Sequence, residues 1–503
     1  MLRRILVISL IVIAVLCTGA GGLAMWALRA TGSVSTAGKV AFERPLPVPP
    51  LAPSTVDATG GRVFELTASE GRHDFGGRSA PTYGFNGDYL GPTLRATRGE
   101  KVTVNVHNGL GAVTGVHWHG MHLPPTMDGG PHQPVQPGAT WSPTWTLNQP
   151  AATLWYHPHP HGSTAAHVYR GLAGLFIVDD PGTDAAALPH RYGVDDVPVI
   201  VQDKAFDGGK LDEGAGVFGA AGIRGDTIVV NGALGPYLEV GTERVRLRLL
   251  NASNGRAFHF GLADRREFAL VGTDGGLLPA PVTTTGVTLV AGERAEIVVT
   301  MRPGERVVLR STPPPLGLDW FNKRFSGAGD TFDVLELRAA ATLSPSAVLP
   351  ARLVDVPRLD PATANHRREF TLAGTKINGK GMDGGRVDAA VSKDTVEVWK
   401  LTNQDGQAHS FHVHDVQFQV LTVGGSAPGA ALGGWKDTVM LPPNKSVEII
   451  ARFADYADPT TPYMFHCHVL RHEDQGMMGQ FVVIEPGQIP KLSPEHASHA
   501  PRN

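Results

Sequence analysis

The sequence predicts an all-β protein built from three β-sandwich domains. The 503-residue chain is rich in glycine (61) and proline (39), which favours turns and short strands over long helices. One pattern also recurs three times: an Asn-Gly pair, then a strand of alternating Val, Thr or Leu with polar residues, ending at asparagine. The copies occupy residues 86–108, 231–251 and 378–403. A repeat at this spacing predicts three copies of one domain, and the alternation predicts antiparallel sandwiches.

The repeats place the domains at about residues 56–180, 190–340 and 355–486. A chain of this length can bury a large core. The segment 31–55 is rich in Ser, Thr, Ala and Pro and is predicted to be a linker. The polar stretch 487–503 is predicted to be a tail.

Residues 1–30 are predicted to be an export signal or a membrane anchor. Arg3 and Arg4 precede an apolar run from Ile5 to about Leu28, long enough to cross a bilayer at ~20 residues. The paired arginines favour the twin-arginine route. No clean cleavage site follows, so cleavage and anchoring both remain open. In either case the body of the protein is expected in the periplasm, outside the cell or at the cell surface.

Charge and cysteine content narrow the classes of function. The net charge of −3 gives no basis for electrostatic binding of nucleic acid. Cys17 lies in the N-terminal apolar run, so Cys467 has no disulfide partner in the mature domains. Cys467 is therefore predicted to be a free thiol or a metal ligand.

Cys467 is flanked by His466 and His468. Side chains alternate along a β-strand, so the thiol would point to one face and both imidazoles to the other. One strand could then touch two metal sites. A thiolate with histidine and a weak methionine is typical of blue copper, and His472 and Met477 follow just downstream. A lone buried cysteine is usually a small apolar core residue, so this stretch alone does not show whether Cys467 binds a metal or only packs in the core.

Three further histidine clusters support a metal site. They are His117 with His119, His157 with His159, and His409 with His412 and His414. His409 has the opposite parity to His412, so it would share a face with Cys467. The other histidines, together with His466 and His468, give eight imidazoles in four like-facing pairs, two from the first domain and two from the third. Eight imidazoles can hold about three coppers with positions open for oxygen. A single His-x-His pair is often incidental, but four matched pairs in two repeats are hard to obtain by chance. The middle domain has only His259 at the corresponding place, which predicts a domain without metal.

The four motifs resemble those of the multicopper oxidases. His-Trp-His-Gly, His-Pro-His, His-x-x-His-x-His and His-Cys-His-x₃-His-x₄-Met occur in the order found in that family. The resemblance covers about residues 56–486 and is greatest to three-domain bacterial laccases and copper-efflux oxidases. It implies three cupredoxin-like Greek-key β-sandwich domains and four copper ions: one of type 1, one of type 2 and two of type 3.

The resemblance also implies a ligand set for each copper. Type 1 copper would take His409, Cys467 and His472, with Met477 as axial ligand, although the adjacent Met478 leaves that choice to spacing alone. Type 2 copper would take His117 and His412. One type 3 copper would take His119, His157 and His468, and the other His159, His414 and His466.

The family mechanism implies roles for Cys467 and three carboxylates. A donor would deliver single electrons to type 1 copper, and these would pass through Cys467 to the centre where dioxygen becomes two waters. Asp128 and Glu473 resemble the family's proton-relay carboxylates, although Asp128 also fits a turn before two glycines. Asp405, four residues before His409, could accept a proton from a phenol, orient a metal ion, or be a solvated loop acid.

The expected partners are dioxygen and a small-molecule or metal-ion donor, with the chain acting as a monomer. Cuprous oxidases of this family often carry a methionine-rich insert, but the chain has only ten methionines, and apart from Met477 and Met478 they do not cluster. This favours a laccase for phenols and aryl amines, with cuprous ion, manganous ion and bilirubin-like donors as alternatives. A copper nitrite reductase needs fewer histidines. A non-catalytic copper-binding protein, or a cell-division protein of the same fold, which usually lacks the ligands, would not explain the full ligand set.

Overall fold

The computed structural model describes residues 32–182, 188–214 and 222–493. The predicted export signal or anchor lies outside the described residues, as do residues 494–503 of the tail. Within the described ranges, no helix has the length and apolar character needed to cross a membrane.

The first sandwich consists of two sheets. Strand β1 (Arg44–Pro45) precedes it, and its own strands are β2 (Ser54–Val56), β3 (Arg62–Asp74), β4 (Ser79–Phe85), β5 (Leu94–Thr97), β6 (Lys101–Asn108), β7 (His117–His119), β8 (Thr140–Trp141), β9 (Thr144–Thr146), β10 (Ala152–His157) and β11 (Gly174–Asp179). One sheet has the order β2-β3-β6-β8, with β4 paired to β3 and β9 to β6. The other has the order β5-β11-β10-β7. Helix α1 (Thr164–Arg170) and a 3₁₀ turn (Pro125–Met127) lie in the loops.

The second sandwich is the largest. Its strands are β12 (Asp196–Lys204), β13 (Phe206–Asp207), β14 (Lys210–Leu211), β15 (Thr227–Val230), β16 (Ala233–Leu234), β17 (Pro236–Thr242), β18 (Arg244–Asn251), β19 (Phe258–Leu262), β20 (Phe268–Thr273), β21 (Gly276–Thr284), β22 (Val287–Leu289), β23 (Arg294–Thr300), β24 (Arg306–Thr312) and β25 (Phe332–Ser344). They form sheets of order β1-β17-β25-β24-β19-β22 and β16-β15-β12-β18-β23-β20-β21, with β13 and β14 as a hairpin. Helix α2 (Trp320–Phe325) follows β24.

The third sandwich contains two five-stranded sheets. Its strands are β26 (His366–Ala373), β27 (Lys376–Ile377), β28 (Ala389–Ser392), β29 (Thr395–Asn403), β30 (His409–Val413), β31 (Phe418–Val423), β32 (Thr438–Leu441), β33 (Ser446–Phe453), β34 (Tyr463–Cys467) and β35 (Met478–Ile484). The sheet orders are β27-β26-β29-β33-β31 and β28-β35-β34-β30-β32. Helix α3 (Leu470–Asp474) and two 3₁₀ turns (Pro361–Thr363 and Ala430–Leu432) complete it. The predicted fold class, three all-β sandwiches, is confirmed.

The alternating sequence produces these sandwiches directly. In β6 the valines at 102, 104 and 106 are buried, and the residues between them are half-buried. Each sandwich has its own apolar cluster of such residues, so each copy of the repeat closes its own core.

The Asn-Gly pairs of the repeat make the same turn in each domain. Asn86, Asn231 and Asn378 all have positive φ, between 49° and 56°. Each side-chain Oδ1 accepts a backbone N–H from a neighbouring strand at 2.7–2.8 Å. Asparagine tolerates this left-handed conformation better than most residues and can satisfy the nearby backbone, which explains its recurrence.

The asparagines that end the repeated strand organise the loop that follows. Asn108, Asn251 and Asn403 are all buried. Each Oδ1 accepts the N–H two residues on, and each Nδ2 donates to two backbone carbonyls, one in the following loop and one further along the chain. In the second domain this loop reaches the third, where the Asn254 carbonyl accepts the Leu470 N–H at 2.8 Å.

The segment predicted to be a linker is held against the second sandwich. We call residues 32–52 the strap. Arg44 and Pro45 pair in parallel with β17, and Leu46 is buried in the second core. The Val34 N–H donates to Asp330 Oδ1 at 2.8 Å. Near the end of the strap, the Ala52 N–H donates to the Thr93 carbonyl of the first domain at 2.9 Å. The strap therefore runs along the second sandwich before it reaches the first.

Candidate metal centre

The first group of ligand side chains surrounds the single described cysteine. His409 begins β30, Cys467 ends β34 and His472 lies in α3. The Cys467 Sγ lies 3.4 Å from His409 Nδ1 and 3.6 Å from His472 Nδ1, and all three side chains are buried. We call these three residues the cysteine group. Met477 packs in the same apolar cluster as Cys467, whereas Met478 pairs with His466 across β34 and β35.

The second group contains all eight histidines of the four predicted pairs, and each of its imidazoles is buried. It comprises His117, His119, His157, His159, His412, His414, His466 and His468. We call this set the histidine group. Its potential ligand atoms form three triads, two of which share His414: His117 with His412 and His414, His119 with His157 and His468, and His159 with His414 and His466. The closest nitrogen pairs are 3.2–3.4 Å apart.

Strand pairing brings the two groups back to back. β30 and β34 are antiparallel neighbours, with His412 opposite His466 and Phe411 opposite Cys467. Because alternate side chains leave opposite faces, Cys467 enters the third core while His466 faces the first domain. In the first domain, β7 and β10 place His117 opposite His157. The histidine group is thus divided equally between the first and third domains.

Backbone carbonyls fix how several of these rings are presented. The Nδ1–H of His117, His412 and His157 donates to the carbonyls of Asp128, Asp437 and Pro158 at 2.8–2.9 Å. A carbonyl can only accept, so Nδ1 carries the proton and Nε2 is left with its lone pair. Such outer contacts orient metal-binding histidines.

His119 is turned the other way. Its Nδ1 faces His157, while its Nε2 lies 3.0 Å from both Asp437 Oδ1 and Thr438 Oγ1. Asp437 also accepts two bonds from Arg294 at 2.6 and 2.7 Å. Neither Asp437 nor Arg294 was predicted from the sequence, because neither lies in a recognisable motif. The second domain, predicted to lack metal ligands, thus contributes Arg294 to the support of the histidine group.

Burial sets the protonation of most of these histidines. Burial, together with the neighbouring imidazoles, lowers the pKa of His119, His157, His412 and His414. Burial likewise lowers the pKa of His468 to about 3. These rings are therefore neutral at pH 7, which is the form that binds metal.

The cysteine group shows the opposite trend. Burial alone would raise the pKa of the Cys467 thiol, but His409 and His472 outweigh it and lower the pKa to about 5. For His409, burial is outweighed by Cys467 and Asp405, which raise its pKa to about 9. A thiolate beside two imidazoles is a soft donor set.

Three predicted carboxylates contact the two groups. Asp128 is buried, with Oδ2 accepting from His414 Nδ1 at 2.7 Å. Glu473 is also buried, with its oxygens 3.1 Å from His466 Nδ1 and 3.4 Å from His159 Nδ1. Burial would raise the pKa of Glu473, but these histidines hold it well below its usual range. Asp405 is a quarter exposed, and its Oδ2 accepts from His409 Nε2 at 2.8 Å.

The residues present fit copper. Both ring nitrogens of His468 are buried and have no hydrogen-bond partner among the described residues. Unpaired buried polar atoms are costly, and metal ligation would account for these. Donor atoms 3.2–3.6 Å apart also suit a shared first-row metal with bonds of ~2.0–2.3 Å. Neutral imidazoles with one thiolate are the donors that copper prefers.

Comparisons with known proteins agree with this chemistry. Two family models described as multicopper oxidase match residues 67–183 and 353–487. The chain is 35% identical to the multicopper oxidase mco of Staphylococcus epidermidis, over 86% of this chain and 91% of that protein. The chain belongs to the multicopper oxidase family. Copper binding and a copper-dependent oxidoreductase chemistry follow from that membership.

This multicopper oxidase has similar relatives of two kinds. The structure of the laccase-like multicopper oxidase CueO from Ochrobactrum sp. is 36% identical, with a TM-score of 0.79 over 88% of this chain and 100% of that one. A laccase structure from Pediococcus acidilactici is 33% identical, with a TM-score of 0.79 over 89% and 95%. The cell division protein FtsP of Sodalis glossinidius is 36% identical over 91% of this chain and 97% of that protein. These neighbours confirm the cupredoxin-like fold of the multicopper oxidase.

A cavity of about 640 Å³ opens beside the cysteine group of this multicopper oxidase. We call it the donor cavity. His409 and His472 border it, Asp405 lies in its wall, and Phe321 and Phe325 of α2 close one side. No methionine is among the described residues that line it.

Proposed function

We propose that this multicopper oxidase is a laccase-like enzyme. It oxidises phenols and aryl amines in one-electron steps at the cysteine group and reduces dioxygen to two waters at the histidine group. The observation that carries this proposal is the pairing of a buried thiolate group with a buried eight-histidine group that share one strand, β34, and its next residue.

The proposal includes four copper ions with the predicted ligands. One type 1 ion would bind His409, Cys467, His472 and the axial Met477; one type 2 ion would bind His117 and His412; the type 3 ions would bind His119, His157 and His468, and His159, His414 and His466. Bound copper would supply one-electron redox chemistry and open positions for oxygen. The chain itself supplies the path for electrons between the cysteine group and the histidine group, because Cys467 is joined by peptide bonds to His466 and His468.

Asp128 and Glu473 are proposed to deliver protons. Reduction of dioxygen to two waters takes up four electrons and four protons, and the histidine group is buried. The two carboxylates lie against His414 and His466, at the edge of that group. A carboxylate held beside a reacting centre can pass protons in this way.

The donor cavity supports organic donors. Phenylalanine rings suit an aromatic molecule, and Asp405 could accept the phenolic proton while it orients His409. The Ochrobactrum protein is described as having oxidase activity towards lignin model compounds and lignosulfonate. A metallo-oxidase acting on cuprous or manganous ion is the alternative within the family, since Asp405 could instead orient a cation.

A second candidate is a non-catalytic protein of cell division. The FtsP relatives are as similar to this chain as the oxidases are, and they match almost over their full length. The complete set of ten histidines and Cys467 favours the oxidase. Export to the periplasm or beyond, by the twin-arginine route, is proposed in either case.

Oxygen uptake by the copper-loaded protein tests the proposal. A phenol, an aryl amine, cuprous ion and manganous ion are supplied in turn, and peroxide is assayed alongside. Uptake with the organic donors and no peroxide is expected. Uptake with a metal ion alone would replace the laccase by a metallo-oxidase. No oxygen uptake with any donor, despite about four bound coppers per chain, would favour the non-catalytic protein over the oxidase.

A further inference from the structure

The donor cavity has an aromatic side. Helix α2 lines it with Phe321 and Phe325, and Phe321 is 53% exposed, whereas most large apolar side chains described are buried. Phe321 and Phe325 lie with ring centroids 4.4 Å apart. Adjacent exposed aromatic rings at the mouth of a cavity favour contact with a flat apolar ligand.

The wall of the same cavity is positively charged. It contains the guanidinium groups of Arg224 and Arg471 and a single carboxylate, Asp405. Asp405 is already engaged, because it accepts from His409 at 2.8 Å and from the Gly374 N–H at 2.9 Å. The cavity thus has two cations whose charge Asp405 does not neutralise.

Neither arginine has an ion pair with a carboxylate anywhere in the described ranges. Arg224 donates from Nη2 to the Phe325 carbonyl at 2.7 Å, and its buried Nε has no hydrogen-bond partner. Burial, together with Arg256, lowers the pKa of Arg224 to about 10. Other buried arginines are paired: Arg248 with Asp196, Arg256 with Asp203, and Arg294 with Asp437. Unlike these buried arginines, the half-buried Arg224 has no ion pair of its own, although Asp203 and Asp330 attract it from a greater distance, and a ligand's anion would supply one.

We infer that the donor cavity selects aromatic donors that carry an anionic substituent, a carboxylate or a sulfonate. The ring lies against Phe321, and the anion is bound by Arg471, with Arg224 behind it. The planar guanidinium matches a two-oxygen anion, and the net positive wall attracts such donors from solution. A cavity of about 640 Å³ has room for a donor of one or two rings. This inference rests on the proposed function, and it names Arg471 as a specificity-determining residue.

Steady-state kinetics with a matched pair of donors test the inference. A methoxyphenol with a propionate side chain is compared with the same compound as its neutral primary amide, since the methylene spacer keeps their ring chemistry alike. We expect kcat/KM to favour the propionate by about tenfold at low salt, as one charge-assisted contact would give. Arg471→Gln should bring the ratio close to one, and Arg471→Lys should restore part of it.

Arg452→Gln is the matched control, because Arg452 is exposed on β33 and does not line the cavity. It should keep the wild-type ratio. Equal kcat/KM for both donors in the wild type, or a preference that survives in Arg471→Gln, would overturn the inference.

A binding measurement separates this inference from the proposed function. Calorimetry on the copper-loaded full chain uses 3-phenylpropionate and its amide, neither of which is a phenol donor. If 3-phenylpropionate binds more tightly than its amide, and Arg471→Gln removes this difference, the anion site is supported. If no donor is oxidised in that case, only the laccase proposal fails. Absence of that difference, with the phenol oxidised, leaves the laccase intact and rejects the anion site.

Discussion

The cysteine group and the histidine group differ in what holds them together. All three members of the cysteine group come from the third domain, so one folded sandwich is sufficient to assemble them. The histidine group takes half of its members from the first domain and half from the third, and Arg294 of the second domain fixes Asp437 beside it. The cysteine group therefore depends on the folding of one domain, and the histidine group depends on the docking of three.

Cys467→Ser should have the largest effect and separate the groups most cleanly. Serine offers no soft thiolate, so the cysteine group should lose its copper and its visible absorption. The histidine group should keep its metal, since its eight ligands are unchanged. Oxidation of organic donors should fall below detection. Copper per chain, the visible spectrum and oxygen uptake measure this, and turnover at the wild-type rate would refute the proposed electron path.

Arg294→Met should damage the group that depends on docking. It leaves the buried Asp437 carboxylate without its partner, which costs about 3–5 kcal/mol. Copper in the histidine group should fall, while the visible absorption of the cysteine group persists. Lys400→Met is the control, because its pair with Glu369 is exposed to solvent on both sides and worth about 0–1 kcal/mol. Equal copper loss in both variants would contradict the role of Arg294.

Glu473→Gln should slow the chemistry of the histidine group alone. The amide keeps the shape beside His466 but cannot carry a proton as the carboxylate does. Steady-state oxygen uptake should drop by about 10²-fold. Anaerobic bleaching of the cysteine group by a donor should continue at the wild-type rate. Glu485→Gln, at an exposed position, should alter neither. Slower bleaching would mean that Glu473 acts on the cysteine group instead.

Met477→Leu should have the smallest effect and sharpen the description of the cysteine group. The substitution nearly conserves volume, so stability should change by less than ~1.5 kcal/mol. Loss of an axial thioether should shift the reduction potential and the visible spectrum. Met478→Leu should shift neither, because Met478 lies outside the apolar cluster that holds Cys467. The reverse result, measured by redox titration, would make Met478 the axial ligand.

The features that could be predicted from the sequence depend on patterns within short stretches of the chain. Strand alternation placed His117 and His119 on one face, and Cys467 opposite its two neighbours, because a period of two needs no tertiary information. The Asn-Gly repeat likewise predicted three sandwiches, since each copy closes its own core. These are properties of short stretches.

Properties that depend on distant contacts could not be predicted. Asp437 reaches His119 from another domain, and its partner Arg294 comes from a third, with no spacing that links them. The reversed ring of His119 depends on that contact. The donor cavity combines Arg224, helix α2 and residues between 374 and 475, so Arg224 and Arg471 have no common motif. The strap was predicted as a linker because its composition is that of one, although it binds the second sandwich.

The asparagine-ended loop of the second domain shows what a repeat retains when it has no metal to bind. This loop carries no ligand, yet Asn254 still bonds to Leu470 at the start of α3, the helix that contains His472. Nearby, Ser410 donates to the Ala291 carbonyl of the same domain at 2.7 Å. A copy of the repeated domain can therefore lack metal ligands and still need the loop shape that contacts its neighbour. Loop exchange among the three copies would be tolerated in the middle one only if the replacement kept the contour of the original.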